Sequence, residues 1–270
     1  MTRDLVGRLR NRAALIDKTR SVEWEHHAPL ASFTFDDFPA DALEVGGRIL
    51  KEKANAKATY YVSGCFMGKT IDGIKFYDEG HLNAVEKEGH EIGCHGFQHE
   101  KFGERGIRFA RRNCEDNAAF VRDVVGPHVK MTSFAYPYGD TSPLVKPVMA
   151  KKFPFCRGVR QELNTNKVDR AQISIISLEI RHAEYVDLKR TVAEAVANKS
   201  WIVFLTHDVC ENPSPYGSTP AMIENAVDAV MEAGIQIMPL SQAAMYGLKK
   251  PKTAVSSPEL WVPAPSALYS

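Results

Sequence analysis

The sequence predicts a single α/β domain in which largely parallel strands alternate with helices. Short apolar runs, rich in β-branched and aromatic residues, alternate at least six times with longer amphipathic segments. No linker separates these units between residues 31 and 248, so we expect one continuous domain rather than two small ones. Residues 1–30 precede the domain as an arm, and residues 249–270 follow it as a tail.

The elements follow one another in a regular order along the chain. Strands are expected at residues 31–35, 58–62, 90–94, 131–136, 172–178, 201–206 and 235–238. Helices are expected at residues 39–54, 78–89, 105–125, 143–152, 185–199 and 219–233.

The two ends of the chain depart from this order. The arm is expected to hold an amphipathic helix from Leu5 to Leu15, with arginines on its polar side. The tail carries four prolines, so we expect it to be extended, with the region around Trp261 docked on the domain. Arm and tail are the candidate places for a homodimer contact.

Composition and charge exclude several classes of protein. The 270 residues are 44% hydrophobic, with 34 Lys and Arg against 33 Asp and Glu for a net charge of +1. This composition excludes disordered and fibrous proteins, and its balanced charge gives no footprint for nucleic acid. No stretch approaches the ~18 apolar residues of a membrane span, and the first 20 residues lack a signal-peptide pattern, so a cytoplasmic location is expected. The five cysteines contain no CxxC pair, which favours reduced thiols.

Reactive residues follow four of the predicted strands. In a parallel sheet, functional groups gather at the carboxyl ends of the strands, so these residues are expected to share one crevice. They are Asp36-Asp37 after the first strand, His95 and His99 after the third, Tyr136 to Gly139 after the fourth, and His207-Asp208 after the sixth.

The paired carboxylates and histidines together predict a metal site. Adjacent carboxylates at a strand end raise each other's pKa unless a positive charge lies beside them, and a divalent cation supplies that charge. His95 and His99 are spaced i, i+4, so a helical turn after the strand would aim both rings the same way. Two imidazoles and one carboxylate fit a hydrolytic zinc site or a non-haem iron facial triad. Each pattern alone is more often a surface pair or a helix cap, and only their conjunction is informative.

Four short motifs carry a resemblance to a known family. In chain order, TFDD at 34–37, HGFQH at 95–99, FAYPYG at 134–139 and FLTHD at 204–208 resemble the motifs of the polysaccharide deacetylases. This family is carbohydrate esterase family 4, the NodB-homology domain, and the third motif resembles that of a variant subgroup with AYPYG. The resemblance implies a distorted (β/α) barrel of about seven parallel strands. It also implies metal-dependent hydrolysis of an N-acetyl group on an amino sugar.

The resemblance also implies roles for individual residues. Asp37, His95 and His99 would bind one divalent metal, with Zn first and Co, Mn, Ni or Fe as alternatives. Asp36 would be the general base, and His207 the general acid. The oxyanion and substrate pocket would be formed by Tyr138, through its backbone N–H, together with Pro137 and Leu205. Beside this carry-over, the Pro-, Gly- and Ser-rich segment 210–220 is a candidate substrate loop, with Tyr216 available to stack on a sugar ring.

Two departures from the family pattern bear on the base and the acid. Ala135 stands where the third motif usually has an arginine that pairs with the catalytic aspartate. Arg157, Arg160 and Arg181 are the candidates to supply that charge from elsewhere. The fourth motif is not visible in residues 177–185, where the side chains available to assist His207 are Glu179 and His182.

The sequence therefore predicts an enzyme that acts on carbon–nitrogen bonds of linear amides. A metal-bound water, with Asp36 as base and His207 as acid, would remove N-acetyl groups from an N-acetylglucosamine-containing oligo- or polysaccharide. Hydrolysis of another small amide, a cyclic ureide or a formamide, is one alternative. A carbohydrate-binding pseudoenzyme is the other, motivated by the missing arginine.

Overall fold

A closed barrel of seven parallel strands organises the residues that the computed structural model describes, which are 2–18, 20–25 and 27–248. The predicted tail at 249–270 lies outside the described residues. In chain order the strands are β1 (Ser21–Glu23), β2 (Leu30–Phe35), β3 (Thr59–Val62), β4 (Thr70–Ile71), β5 (Ile74–Lys75), β6 (Glu91–Cys94), β7 (Ser133–Ala135), β8 (Phe155–Gln161), β9 (Lys167–Asp169), β10 (Ile173–Ser177), β11 (Trp201–Thr206) and β12 (Gln236–Ile237).

The barrel closes between the first and last of its long strands. Its order is β2-β3-β6-β7-β8-β10-β11, and β11 returns to β2 in register from Trp201 opposite Leu30 to Thr206 opposite Phe35. The short β12 pairs with the beginning of β2, while β1 and β9 form a separate antiparallel pair. All seven strands of the ring therefore point their carboxyl ends toward the same side.

One strand of the ring corrects the sequence analysis. β8 was not predicted, and residues 235–238, predicted as a seventh strand, form only the short β12 outside the ring. The sequence of β8, FCRGVRQ, has buried residues at its first four positions and exposed ones at its last three. The apolar pattern that would predict this strand is interrupted, because one of its buried residues is Arg157.

Helices cover the outside of the ring. They are α1 (Thr2–Ile16), a π-helix (Ala42–Gly47) that continues into α2 (Arg48–Ala54), α3 (Glu79–Lys87), α4 (Phe102–Arg105), α5 (Ile107–Val125), α6 (Val145–Lys152), α7 (Leu188–Asn198), α8 (Pro220–Glu232) and α9 (Leu240–Gly247). Short 3₁₀ turns lie at Gly64–Phe66, Pro137–Gly139 and Ile180–His182. Among the described helices, none has the length and apolarity that crossing a membrane requires.

Alternation along the strands separates two sides of the barrel wall. On β11, Trp201, Val203 and Leu205 pack into the interior cluster, whereas Ile202 and Phe204 pack against the surrounding helices. Trp24 stacks on Trp201, with ring centroids 5.5 Å apart, and both belong to the cluster that α9 also joins. Because side chains alternate with a period of two, the same inward side continues past the strand ends to the site described next.

Candidate active site

Three predicted ligands meet at the carboxyl end of the barrel. Ligand atoms of Asp37, His95 and His99 all lie within 4.8 Å of one another. Asp37 Oδ1 is 3.4 Å from His95 Nε2 and 3.1 Å from His99 Nε2. This oxygen is buried, yet it accepts no hydrogen bond from the described residues. An uncompensated carboxylate oxygen facing two imidazole nitrogens is the arrangement that a divalent cation completes, so the residues fit a metal.

The backbone reaches this geometry through left-handed residues. Asp37 and Phe38 follow β2 with φ values of 62° and 56°, and His99 has φ 48°. Residues 95–101 form an irregular loop rather than the predicted helical turn, so His95 and His99 converge for a different reason than their i, i+4 spacing. His95 extends the inward side of β6, and the left-handed His99 turns back toward it. Such conformations cost about 1–3 kcal/mol each and persist where the surroundings enforce them.

Both histidines are prepared to act as neutral ligands. His95 Nδ1 lies 2.8 Å from the carbonyl oxygen of Ala135, so Nδ1–H donates and Nε2 keeps its lone pair toward Asp37. Burial lowers the pKa of His95, although Asp36 and Asp37 oppose the shift. Burial also lowers the pKa of His99 to about 4. Neutral imidazoles are the form that binds a metal.

A fully buried arginine holds the carboxylate of Asp36. Arg157 donates from Nη2 to Asp36 Oδ1, and it comes from β8, the strand after the one that ends in Ala135. Arg157 has no exposed surface, and its guanidinium lies 5.1 Å from the ring of Tyr61 inside the barrel. Burial would raise the pKa of Asp36, but Arg157, with His95 and His207, outweighs it and holds that pKa below its usual value. Of the three candidate arginines, Arg157 is therefore the one that pairs with Asp36, the role expected of the third-motif arginine that Ala135 replaces.

A second buried carboxylate lies beside His207. Glu179, which is 1% exposed, has Oε1 3.5 Å from His207 Nδ1, and the carbonyl oxygen of Tyr216 lies 3.1 Å from the same nitrogen. Because two acceptors surround Nδ1, this nitrogen carries a proton. Nε2 is then the nitrogen that is available to react. Glu179 also accepts hydrogen bonds from Arg181 and lies 3.0 Å from His182 Nδ1.

The remaining candidates have distinct surroundings. Tyr138 is left-handed, with φ 58°, and its 62% exposed ring lies 4.5 Å from that of His99. Pro137 and Leu205 are buried. Tyr216 is half-exposed, and its ring centroid is 5.6 Å from that of His207.

Two residues near the site lie away from its carboxylates and ligands. Arg160 is exposed and pairs with Glu162, so it does not reach Asp36. Cys94 packs outward with Phe134 and Cys114, on the opposite side of the strand from the ligand His95.

Sequence reasoning gave no role to two residues that support the site. Asp208 is buried and binds the backbone N–H and hydroxyl of Ser214, which shapes the loop that carries Tyr216. Tyr61 forms the aromatic surface beside Arg157. The adjacency of Asp208 to His207 was the available signal for the first, whereas Tyr61 has none beyond its inward position on β3.

Comparisons with known proteins identify a matching family model and solved structures with the same fold. Residues 25–152 match the family model described as polysaccharide deacetylase. No curated protein sequence matches the chain. Solved structures with the same fold include the Xyl-CE4 domain of a multidomain xylanase from the hindgut metagenome of Trinervitermes trinervoides. This domain is 17% identical, with a TM-score of 0.56, covering 82% of this chain and 91% of that one.

Two further structures with this fold are an esterase and a pseudoenzyme. A family 4 acetyl xylan esterase from Clostridium thermocellum, solved with a cobalt ion, is 20% identical with a TM-score of 0.54, covering 80% of this chain and 91% of that one. A CE4-family pseudoenzyme from Bacillus anthracis is 13% identical with a TM-score of 0.53, covering 80% of this chain and 66% of that one. At these identities the likeness concerns the fold. The matched family model, which spans the first three of the four motifs, supports the resemblance of residues 25–152 to the polysaccharide deacetylases.

Proposed function

We propose that this protein is a metal-dependent deacetylase that removes N-acetyl groups from an N-acetylglucosamine-containing oligo- or polysaccharide. The observation that carries the proposal is the pairing of a three-ligand cluster with one ionised carboxylate, Asp36, and one histidine, His207. Hydrolysis of an amide requires a base for water and an acid for the leaving nitrogen, and this site offers both.

Asp37, His95 and His99 would hold the metal. A divalent cation at these ligands supplies Lewis-acid activation of water and of the acyl carbonyl. Zinc is the first candidate because two imidazoles and one carboxylate leave positions open, as in hydrolytic zinc sites. Co, Mn, Ni and Fe are the alternatives.

Asp36 would take the proton from water. Because its pKa lies below the usual value, Asp36 is ionised at neutral pH. Asp36 Oδ1 accepts the hydrogen bond from Arg157. Asp36 Oδ2 lies 3.8 Å from His95 Nε2 and faces the ligands. Arg157 therefore orients the base as well as keeping it ionised, which favours an active enzyme over a pseudoenzyme.

His207 would protonate the leaving nitrogen. Glu179 and the carbonyl of Tyr216 fix the ring through Nδ1, so a proton can leave from Nε2. The backbone N–H of Tyr138 would donate to the oxyanion, with Pro137 setting the turn that presents it. Leu205 would contact the acetyl methyl, and Tyr216 would stack on the sugar.

Acetate release tests this proposal. Purified protein is stripped of metal, reloaded with Zn²⁺, and incubated with chitooligosaccharides and, in parallel, with a cyclic ureide and a formamide. We expect acetate from the oligosaccharide only when metal is present, and neither acetate nor bound metal for the His95→Ala variant. The variant His128→Ala is the matched control, because His128 is exposed and pairs with Glu86 far from the ligands. Full activity without metal, or turnover of only the ureide or formamide, would contradict the proposal.

A further inference from the structure

The N-terminal helix α1 contacts α4, which follows the loop that carries His99, and the loop that carries Tyr138. One loop, residues 95–101, carries His99 and leads into α4. The other, residues 137–142, carries Tyr138. The family match begins at residue 25, after α1 has ended, so this helix is an addition to the matched segment.

The carboxylate of Asp140 joins the Tyr138 loop to α4, the helix that follows the His99 loop. Asp140 is 4% exposed and lies two residues after Tyr138. Its Oδ2 accepts the backbone N–H of Glu104 at 3.1 Å, and its Oδ1 accepts Nη2 of Arg10 at 2.6 Å. Arg10 therefore pairs with the same buried carboxylate that accepts the N–H of α4, so one side chain links α1, α4 and the Tyr138 loop.

Close packing between the same elements reinforces this junction. A Cβ atom added at Gly103 would lie 2.4 Å from the carbonyl oxygen of Thr141 and 2.7 Å from Nε of Arg10. The backbone N–H of Thr141 also donates to the side chain of Asn11 at 2.8 Å. Helix α1, α4 and the Tyr138 loop therefore meet at a point that admits no side chain at residue 103.

The far end of α1 is fixed by a buried lysine. Lys146 of α6 donates from Nζ to the carbonyl oxygens of Ala14 and Asp17 at 2.8 and 2.6 Å, and it pairs with Asp169 at 2.6 Å. Its ammonium group satisfies carbonyls at the C-terminus of α1 that have no partner within the helix. The part of α1 that follows Arg10 is thus attached at Asn11 and again at its C-terminal end.

We infer that Arg10, acting through Asp140, is a positioning residue that sets the geometry of both the metal ligand His99 and the oxyanion donor Tyr138. Both target residues are left-handed, and their rings lie 4.5 Å apart, so they depend on outside contacts to keep their conformations. The Tyr138 part of this inference rests on the proposed function, whereas the His99 part concerns metal binding alone.

The variant Arg10→Ala tests the inference with two readouts, and Arg12→Ala is its matched control. Arg12 lies on the same helix with an exposed side chain. For Arg10→Ala we expect Zn²⁺ affinity, measured by calorimetry, to fall about tenfold, as for other residues that orient a metal ligand. We also expect kcat for acetate release to fall about tenfold or more while KM changes less than about twofold, because an oxyanion donor acts on the transition state. Arg12→Ala is expected to match the unmodified protein in both.

A merely structural helix would give a different pattern. If Arg10→Ala lowers only the melting temperature, and its Zn²⁺ affinity and kcat equal those of Arg12→Ala below that temperature, the inference is wrong. Should Arg10→Ala not fold, Asp140→Asn and Arg10→Lys are measured instead. The inference then requires Asp140→Asn to lose affinity and kcat, with Arg10→Lys intermediate, and it is wrong if both behave like Arg12→Ala. If the unmodified protein releases no acetate, the proposed function fails, while the Zn²⁺ affinities still decide the role of Arg10 toward His99.

Discussion

The two sides of the site hold their carboxylates in opposite ways. On the base side, Asp36 and Arg157 are both buried; Arg157 lies within β8, and Asp36 directly follows β2. On the acid side, Glu179 is buried, but its partners Arg181 and His207 are 42% and 19% exposed and lie beside a loop. The base is thus held in place by the barrel itself, whereas the acid is held by segments near solvent.

This difference separates stability from activity. Removing one partner from a buried ion pair leaves an uncompensated charge and costs about 3–5 kcal/mol. Exposed pairs contribute only about 0–1 kcal/mol because water screens them. Changes on the base side should therefore affect both folding and catalysis, and changes on the acid side mainly catalysis.

The largest expected effect is that of Arg157→Met. Loss of the guanidinium leaves Asp36 buried without its main partner, so the free energy of unfolding should fall by about 3–5 kcal/mol in urea titrations. In the protein that remains folded, the pKa of Asp36 should rise, because Arg157 is the first of the groups that lower it. The acid limb of the kcat/KM profile should then move to higher pH.

Arg160→Met is the matched control for that prediction. Arg160 lies on the same strand, is 46% exposed and pairs with Glu162 at 2.7 Å. It should change the free energy of unfolding by less than about 1 kcal/mol. Equal losses in the two variants would contradict the assignment of Arg157 as the partner of Asp36.

The next effect is that of His207→Asn on the acid side. Loss of a general acid lowers kcat by about 10²–10⁴. Because the side chain is partly exposed at a strand end, the free energy of unfolding and the Zn²⁺ affinity should stay close to those of the unmodified protein. A variant that lost metal instead of turnover would place His207 among the ligands, and the distinction between the two sides would fail.

How much of the base side and of the acid side can be predicted from the sequence depends on the kind of interaction. The apolar pattern located six of the seven barrel strands, and the four motifs located Asp36, Asp37, His95, His99 and His207. Strand β8 escaped because its inward residue after Phe155 is a charged arginine, which is buried only through its pairing with a residue 121 positions away. Without that strand, alternation could not choose Arg157 over Arg160 or Arg181.

On the acid side, the partner of His207 could be predicted from the sequence to a similar extent. Glu179 and His182 were both candidates to assist His207. In the structure the two lie together, with His182 Nδ1 3.0 Å from Glu179 Oε2. Only the inward side of β10, continued from Ile175 through Ser177 to Glu179, selects the carboxylate as the partner of His207.

A smaller effect is expected on the free energy of unfolding of the metal-free protein, which should fall at acid pH because of the ligand His99. The pKa of His99 is about 4 in the folded chain against about 6.5 when unfolded, so the unfolded state binds more protons between these values. This contribution to stability is complete above pH 6.5 and is lost as the pH falls toward 4. The free energy of unfolding should drop by up to about 1.4 kcal/mol per pH unit from this residue. Urea titrations at pH 7, 6 and 5 should show a shallower dependence for His99→Gln, and an unchanged slope would contradict this origin.

The smallest effect is expected at the rim of the acid side, for Tyr216→Ala. An aromatic face that stacks on a sugar contributes about 1 kcal/mol, so KM for a chitooligosaccharide should rise about fivefold with kcat less affected. The two acceptors at His207 Nδ1 are the backbone carbonyl of Tyr216 and Glu179, and neither acceptor atom belongs to the ring. Tyr185→Ala is the control, since Tyr185 is 81% exposed and makes no ring contact among the described residues. If Tyr216→Ala lowers kcat as strongly as His207→Asn while KM is unchanged, the ring positions the acid rather than the sugar. The acid side would then be as tightly determined as the base side, despite its exposure.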